Sequence, residues 1–166
     1  MAAFLALILL TGSVVKGGLA EPSVSGYFVR QGNFFQRIIP LTEARSAPAF
    51  YNYFDYQANT HLAIPNHSLL FLYRDMNSGQ LSLSIIHDAP EDGTDGSAIF
   101  SFAGLPKSVE FALMDDPEGG DEFTLEPPYG EANWYWYSEH TDGLVVSGIG
   151  ENFEIAIKPS FLWGID

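Results

Sequence analysis

Residues 69–87, LLFLYRDMNSGQLSLSIIH, predict a β-hairpin and with it the fold class. Leu69–Tyr73 is an apolar and aromatic run typical of a strand. Gln80–His87 alternates apolar and polar residues, as a strand with one buried face does. Between the two, Asn77-Ser78-Gly79 predicts the turn, because glycine readily adopts the positive φ that tight hairpins need.

Similar short runs occur along most of the chain, separated by Gly-, Pro- and Asp-rich turns. Further strands are predicted at Gly26–Val29, Phe35–Leu41, Ala98–Phe102, Ser108–Met114, Glu122–Leu125, Asn133–Tyr137, Leu144–Ser147 and Asn152–Lys158. In the hairpin we expect Leu81, Leu83 and Ile85 on the inner face and Ser82, Ser84 and Ile86 on the outer face. About eight to ten short strands without a long helix predict a single antiparallel β-sandwich, with Greek-key or meander connections.

Composition narrows the classes of function. The chain has 166 residues and is 46% hydrophobic and 14% aromatic, which is enough for one domain with a real core. It has 21 acidic and 7 basic residues, and a surface this negative repels nucleic acid and anionic membranes. Cations, glycans or another extracellular protein remain as partners. The absence of cysteine excludes disulfides and thiolate metal sites.

The N-terminal residues 1–20 predict a secretory signal peptide. Their apolar run is too short for a typical bilayer span, and Gly18-Leu19-Ala20 supplies the small residues that precede a cleavage site. No Lys or Arg precedes the apolar run, so an uncleaved anchor is the main alternative, and a buried first strand is a second one. We therefore expect a β-sandwich domain at 21–166, secreted or at the cell surface, with no membrane span in the mature chain.

Much of the acidic charge of the second half lies in three loops, Asp88–Asp95, Asp115–Glu122 and Glu139–Asp142. Each loop follows a predicted strand that runs in the same direction if all strands are antiparallel. The three loops are then expected at one end of the sandwich, and we call them the acidic pole.

The acidic pole predicts a Ca²⁺ site, because calcium takes six to eight oxygen ligands in flexible geometry. The candidate ligands are Asp88, Asp92, Asp95, Asp115, Asp116, Asp121 and Asp142. The spacing differs from that of an EF-hand loop, so the pattern alone is weak. The alternative is a solvated rim in which Asp and Gly serve turn geometry.

The run Trp134-Tyr135-Trp136-Tyr137 predicts a strand with both Trp on one face and both Tyr on the other. With Trp inward, Tyr135 and Tyr137 form an exposed platform of the kind that stacks on sugar rings. The alternative is a strand buried on both faces, in which the tyrosines are structural.

Three functions follow from these patterns. The leading hypothesis is a secreted or cell-surface, non-enzymatic binding or structural module with a calcium-binding pole. The second is a carbohydrate-binding module, and the third is a secreted hydrolase that uses paired carboxylates. No nucleophile motif or phosphate-binding loop supports an enzyme, and no motif is specific enough to name a family. Asn66-His67-Ser68 is an N-glycosylation sequon.

Overall fold

Short alternating strands dominate the fold, as the sequence predicts. The computed structural model describes residues 8–14, 25–90, 93–117 and 120–166. Its strands are β1 (Ile8–Val14), β2 (Ser25–Gln31), β3 (Phe34–Ile38), β4 (Leu41–Glu43), β5 (Ser68–Asp75), β6 (Leu81–His87), β7 (Gly96–Ala103), β8 (Glu110–Met114), β9 (Glu122–Glu126), β10 (Tyr129–Trp136), β11 (Asp142–Ser147) and β12 (Phe153–Trp163). The described residues contain one short helix, α1 (Ala47–Tyr51).

The strands form two sheets that pack as a sandwich. The seven-stranded sheet has the order β3-β2-β1-β12-β7-β10-β9, and the five-stranded sheet has the order β4-β5-β6-β11-β8. The all-β sandwich prediction is confirmed. All pairs are antiparallel except β4 with β5, which pair in parallel through Leu41–Glu43 and Tyr73–Asp75.

The predicted hairpin is β5–β6. Its register pairs Leu72 with Leu83 and Arg74 with Leu81, and Gly79 has a φ of 75° in the turn. The Asp75 carboxylate accepts hydrogen bonds from Asn77 N at 2.8 Å and Ser78 Oγ at 2.7 Å. The turn is therefore closed by side-chain contacts as well as by glycine geometry.

The main core lies between the sheets and is rich in aromatic residues. Its fully buried members include Leu83, Ile85, Phe100, Trp134, Trp136, Leu144, Ile155 and Ile157. Gly96 pairs with Trp136 across β7 and β10, and a Cβ at position 96 would lie 2.0 Å from the Trp136 ring. The core therefore needs glycine at this position to admit the indole.

The outer face of β6 differs from the prediction, because it is not exposed to solvent. Every residue of β6 is buried, including Ser82, Ser84 and Ile86. Helix α1 and the loop after it pack on this face. Phe50 and Tyr51 of α1 form a second apolar cluster there with Tyr73, Ile86 and Val145 of the sheet. Sequence alternation predicts which residues share a face, but it does not reveal what covers that face.

The covering helix α1 is fixed by local signals at both ends. Ser46 caps its start and accepts a hydrogen bond from Ala49 N at 3.3 Å, and Pro48 occupies its first turn. Asn52 ends it with a left-handed φ of 52°. These short signals lie in an aromatic stretch without helical periodicity, so the sequence analysis did not predict the helix.

Residues 8–14 lie within the predicted signal peptide and form β1, which pairs with β2 on one side and β12 on the other. The predicted cleavage site before Glu21 lies outside the described residues, and cleavage stays a prediction. Strand β1 corresponds to the alternative of a first strand in this region, and cleavage would remove it from between β2 and β12. In the described part of the chain, no helix is long and apolar enough to cross a membrane.

Alanine substitutions at two adjacent positions of β10 test which of its side chains point into the core. Trp134→Ala removes a fully buried indole and is expected to lower the free energy of unfolding by about 3–5 kcal/mol. Tyr135→Ala, one residue further on, removes a ring that is 39% exposed and should cost less than about 1 kcal/mol. Urea unfolding of both variants measures the difference, and similar losses would contradict this orientation of β10.

Candidate functional site

The acidic pole exists as predicted. In the strand registers Trp136 lies beside Gly96, Asp142 beside His87, and Leu144 beside Met114. The strand ends that flank the three loops are therefore at the same end of the sandwich. Glu91, Asp92, Glu118 and Gly119 lie outside the described residues.

Asp88 acts as a hydrogen-bond acceptor inside the pole. Its side chain is fully buried, and Oδ1 accepts from Asn66 N at 2.7 Å and Ala89 N at 2.9 Å. Oδ2 accepts from Trp136 Nε1 at 2.9 Å. These contacts connect three segments of the chain, so Asp88 has a structural role. The exposed Asp95 accepts from Ser138 N at 2.8 Å and joins the first acidic loop to the third.

Three of the candidate calcium ligands, Asp115, Asp121 and Asp142, form what we call the buried carboxylate trio. Tyr51 OH donates to Asp115 Oδ2 at 2.7 Å, Tyr135 N donates to Asp121 Oδ1 at 3.0 Å, and Gly143 N donates to Asp142 Oδ1 at 2.7 Å. Within the described residues, Asp115 Oδ1 and Asp121 Oδ2 have no hydrogen-bond partner. The ion pairs of those residues, Arg45–Glu43 and Arg74–Glu151, involve none of the three acids.

Burial raises the pKa values of all three carboxyls of the trio. Desolvation raises the pKa of Asp115 to about 8, and the negative neighbours Asp116 and Asp121 add to the shift. Desolvation also raises the pKa of Asp121 to about 6. The pKa of Asp142 lies well above its usual range because of burial and the nearby Asp121 and Asp115. The trio therefore retains protons at pH values where exposed carboxyls are ionised.

The side chains do not present a ready-made metal site. Among the residues that the structure describes, no group of three or more His, Asp and Glu side chains is arranged to hold a metal ion. The predicted calcium site, which includes Asp92 outside those residues, stays a prediction.

His87, at the end of β6, is a further buried titratable residue. Its ring is fully buried, lies parallel to Trp136 with centroids 5.2 Å apart, and contacts Ser68 Oγ through Nδ1 at 2.6 Å. Desolvation lowers the pKa of His87 to about 3. The imidazole is therefore neutral at physiological pH, as its aromatic surroundings require.

The second candidate site has the predicted orientation. Trp134 and Trp136 are buried, whereas Tyr135 and Tyr137 are 39% and 55% exposed. The two tyrosine rings meet edge to face with centroids 5.1 Å apart. They are therefore available to a ligand and are not buried as structural residues.

These tyrosines form one wall of a concave site, which we call the aromatic pocket. Its volume is about 750 Å³, and its lining is Tyr53, Tyr56, Met114, Asp116, Pro117, Tyr135, Tyr137 and His140. Tyr56 stacks on His140 with centroids 4.9 Å apart and planes 20° apart, and Tyr53 OH donates to Asp116 Oδ1. Aromatic walls with a few polar groups are typical of small-molecule sites.

A tight turn positions Tyr56. Phe54 and Gln57 exchange backbone hydrogen bonds of 3.1 and 3.2 Å, and Asp55 and Tyr56 between them have φ values of 54° and 59°. Two successive positive φ angles are normally supplied by Asn-Gly or similar pairs, so this turn carries backbone strain. Such strain is common where side chains are held for a ligand.

A second cavity adjoins the aromatic pocket, and we call it the polar pocket. Its volume is about 710 Å³, and its lining is Asp55, Tyr56, Gln57, Gly93, Ser138, Glu139 and His140. It shares Tyr56 and His140 with the aromatic pocket. Among the described residues, no Lys or Arg lines either cavity, so the two cavities together, which we call the groove, are negative and aromatic.

Only part of this groove is predictable from the sequence. Tyr135, Tyr137 and Asp116 are predicted as site residues, whereas Tyr53, Tyr56 and His140 are not. The aromatic-rich run at residues 49–56 is the available signal for Tyr53 and Tyr56. Its proximity to β10 depends on the path of the loop after α1, which no local pattern specifies.

The sequon residue Asn66 lies in a turn with a φ of 58°. Its backbone N–H donates to Asp88, and its carbonyl accepts from Asp166 N at 3.0 Å. The backbone of the sequon is thus fixed on both sides, and glycosylation at Asn66 stays a prediction.

The raised pKa values predict how the trio affects stability with pH. A carboxyl that titrates at 3.8 when unfolded and at about 8 when folded keeps its proton in the fold. The protonated Asp115 carboxyl therefore contributes its full stabilisation of the fold below the unfolded pKa of 3.8, and this contribution is lost as the pH rises from there through the folded pKa of about 8. Asp115→Asn removes this titration, so the variant should gain at least about 1 kcal/mol relative to wild type between pH 5 and pH 9.

Urea unfolding in EDTA at several pH values measures this effect. Glu110→Gln is the matched control, because Glu110 is an exposed carboxylate at the start of β8, close before Asp115. Parallel pH profiles for wild type and Asp115→Asn, or an equal change in the control, would contradict the prediction.

A comparison of the chain with protein-family models, with curated proteins and with solved structures gives no match. The function of the acidic pole is therefore inferred from the side chains and cavities of this chain.

Proposed function

We propose that the protein is a secreted or cell-surface, non-enzymatic module that binds a glycan in the aromatic pocket. One observation carries this proposal: exposed rings from β10 and from the loop after α1 converge on one cavity of about 750 Å³. Tyr135 and Tyr137 come from β10 and the loop that follows it, whereas Tyr53 and Tyr56 come from a distant part of the sequence.

The chemistry of the pocket suits a sugar ring. A pyranose has apolar C–H faces and a rim of hydroxyl groups, so it needs flat apolar walls with polar atoms at their edges. Tyrosine supplies both, because its ring is apolar and its hydroxyl is polar. Asp116 and His140 add acceptor and donor groups to the same lining.

The charge of the protein supports a neutral or cationic ligand over an anionic one. The formal net charge is −14, and acidic residues line both cavities. A phosphate- or sulfate-bearing ligand would be repelled from the pole. The proposed extracellular location, where glycans are abundant partners, rests on the N-terminal sequence alone. Residues 8–14 of that sequence form β1, so cleavage before Glu21 would remove a strand from between β2 and β12.

The positions of the acids favour binding over hydrolysis. A glycosidase needs two carboxyls that flank the bond to be cleaved, one of them a proton donor with a raised pKa. Asp115, Asp121 and Asp142, the buried trio with raised pKa values, are not among the described residues that line either cavity. We therefore propose no catalytic role for them.

Alanine variants of β10 and the loop after it test the proposal. Tyr135→Ala and Tyr137→Ala should each weaken binding roughly tenfold or more, since each removes an aromatic wall of the pocket. Tyr129→Ala is the matched control, because Tyr129 is an exposed tyrosine at the other end of β10. A glycan array followed by calorimetry on the best hit measures these effects. An empty array, or an equal loss in Tyr129→Ala, would contradict the proposal.

A second candidate function is calcium binding at the trio. The supporting observation is that Asp115 Oδ1 and Asp121 Oδ2 are buried without a hydrogen-bond partner in the described residues. A divalent cation would neutralise the acids, although the carboxylates would have to rearrange to enclose it.

A thermal melt tests calcium binding. Millimolar Ca²⁺ should raise the melting temperature by at least about 5 °C relative to EDTA, because an ion that binds only the folded chain stabilises it. Mg²⁺ should have a smaller effect, and Asp121→Asn should reduce the shift. Identical melts in Ca²⁺ and EDTA would refute the calcium hypothesis.

A further inference from the structure

We infer that the glycan is a positively charged amino sugar, with a ring in the aromatic pocket and its ammonium group in the polar pocket. This inference rests on the proposed glycan-binding function and specifies the class of ligand. It follows from the connection between the two cavities and from the charges that line them.

The two cavities are adjacent. Tyr56 and His140 belong to both linings, and their rings stack on each other between the two. A ligand longer than one sugar unit that binds in the aromatic pocket can therefore reach the polar pocket by passing this pair of rings. The volumes of about 750 and 710 Å³ each accommodate a sugar ring with its substituents.

Carboxylates from both cavities can attract a cation. Asp55 and Glu139 line the polar pocket, and Asp116 lines the aromatic pocket. None of the three takes part in an ion pair within the described residues. An ammonium group on the ligand would supply the opposite charge that the chain itself does not.

The tyrosine rings favour the same ligand. The face of an aromatic ring attracts an ammonium group, and the interaction strengthens where water is excluded. Tyr56 lines both cavities and is followed in the polar pocket by acidic residues, so a cation beside the face of its ring that is not stacked on His140 would lie near acidic side chains. A neutral N-acetyl group would use neither attraction.

Position 55 offers a clean substitution. Asp55 has a φ of 54°, and asparagine tolerates this left-handed conformation well. Asp55→Asn therefore removes the charge without disturbing the turn. Glu139 is exposed, and Gln57 Nε2 bonds its backbone oxygen at 3.1 Å, so Glu139→Gln leaves that hydrogen bond in place.

The experiment compares two probes of equal length with the full chain by calorimetry. One is a fully de-N-acetylated β-1,4-linked glucosamine oligosaccharide, and the other is its fully N-acetylated counterpart, at a pH where the amines are protonated. We expect the amine form to bind at least tenfold more tightly at low salt, with the difference shrinking as salt increases. The double variant Asp55→Asn/Glu139→Gln should lose this preference, whereas the control Glu110→Gln should keep it.

The outcomes separate this inference from the proposed function. Equal or tighter binding of the acetylated form would overturn the amino-sugar inference and leave glycan binding intact. A preference for the amine that survives in the double variant would overturn the inference as well. Binding of neither probe would refute the inference, and the glycan array would then decide the proposed function independently.

Discussion

Trp136 donates its indole N–H to the buried carboxylate of Asp88 at 2.9 Å, and the organisation of the acidic pole depends on this bond. A carboxylate that is fully removed from water is costly unless its oxygens are hydrogen-bonded. Asp88 meets this requirement with donors from Asn66, Ala89 and Trp136. The bond fixes the end of β10 against the first acidic loop, and the residues after Trp136 are thereby directed toward the groove.

The same strand serves the core and the candidate site, because successive side chains of a strand point to opposite faces. Trp134 and Trp136 fill the space between the sheets, and Tyr135, between them in sequence, extends into the groove. The backbone of Tyr135 is consequently held by the core side chains on either side of it, which limits the backbone entropy lost on binding. Below it, Asp121 accepts the Tyr135 N–H, and one oxygen each of Asp121 and Asp115 is buried without a hydrogen-bond partner among the described residues. Burial of these oxygens therefore lowers the free energy of unfolding, whereas burial of the apolar side chains elsewhere in the sandwich raises it.

Alternation along β6, β10 and β12 was enough to predict the sandwich, the inward tryptophans and the shared end of the acidic loops. Each of these follows from the period of a strand and from strand direction, which are properties of local sequence. The burial of Ser82 and Ser84, the helix at Ala47–Tyr51 and the approach of Tyr56 to His140 were not predictable in this way. They depend on the path of the long connection between β4 and β5 across the five-stranded sheet. A partner so distant in sequence leaves no periodic signal in the residues that it covers.

The turn that carries Asp55 and Tyr56 has a consequence for how binding preference can change over evolutionary time. Its two closing hydrogen bonds are made by the backbone of Phe54 and Gln57, and both tip side chains are exposed. Neither side chain belongs to the main core or to the second apolar cluster. Related sequences could therefore exchange these two residues for others that tolerate a positive φ, and with them the charge and shape of the groove, while both sheets stay unchanged. The tip is thus the place where variation among homologues would be expected to reflect the ligand and not the fold.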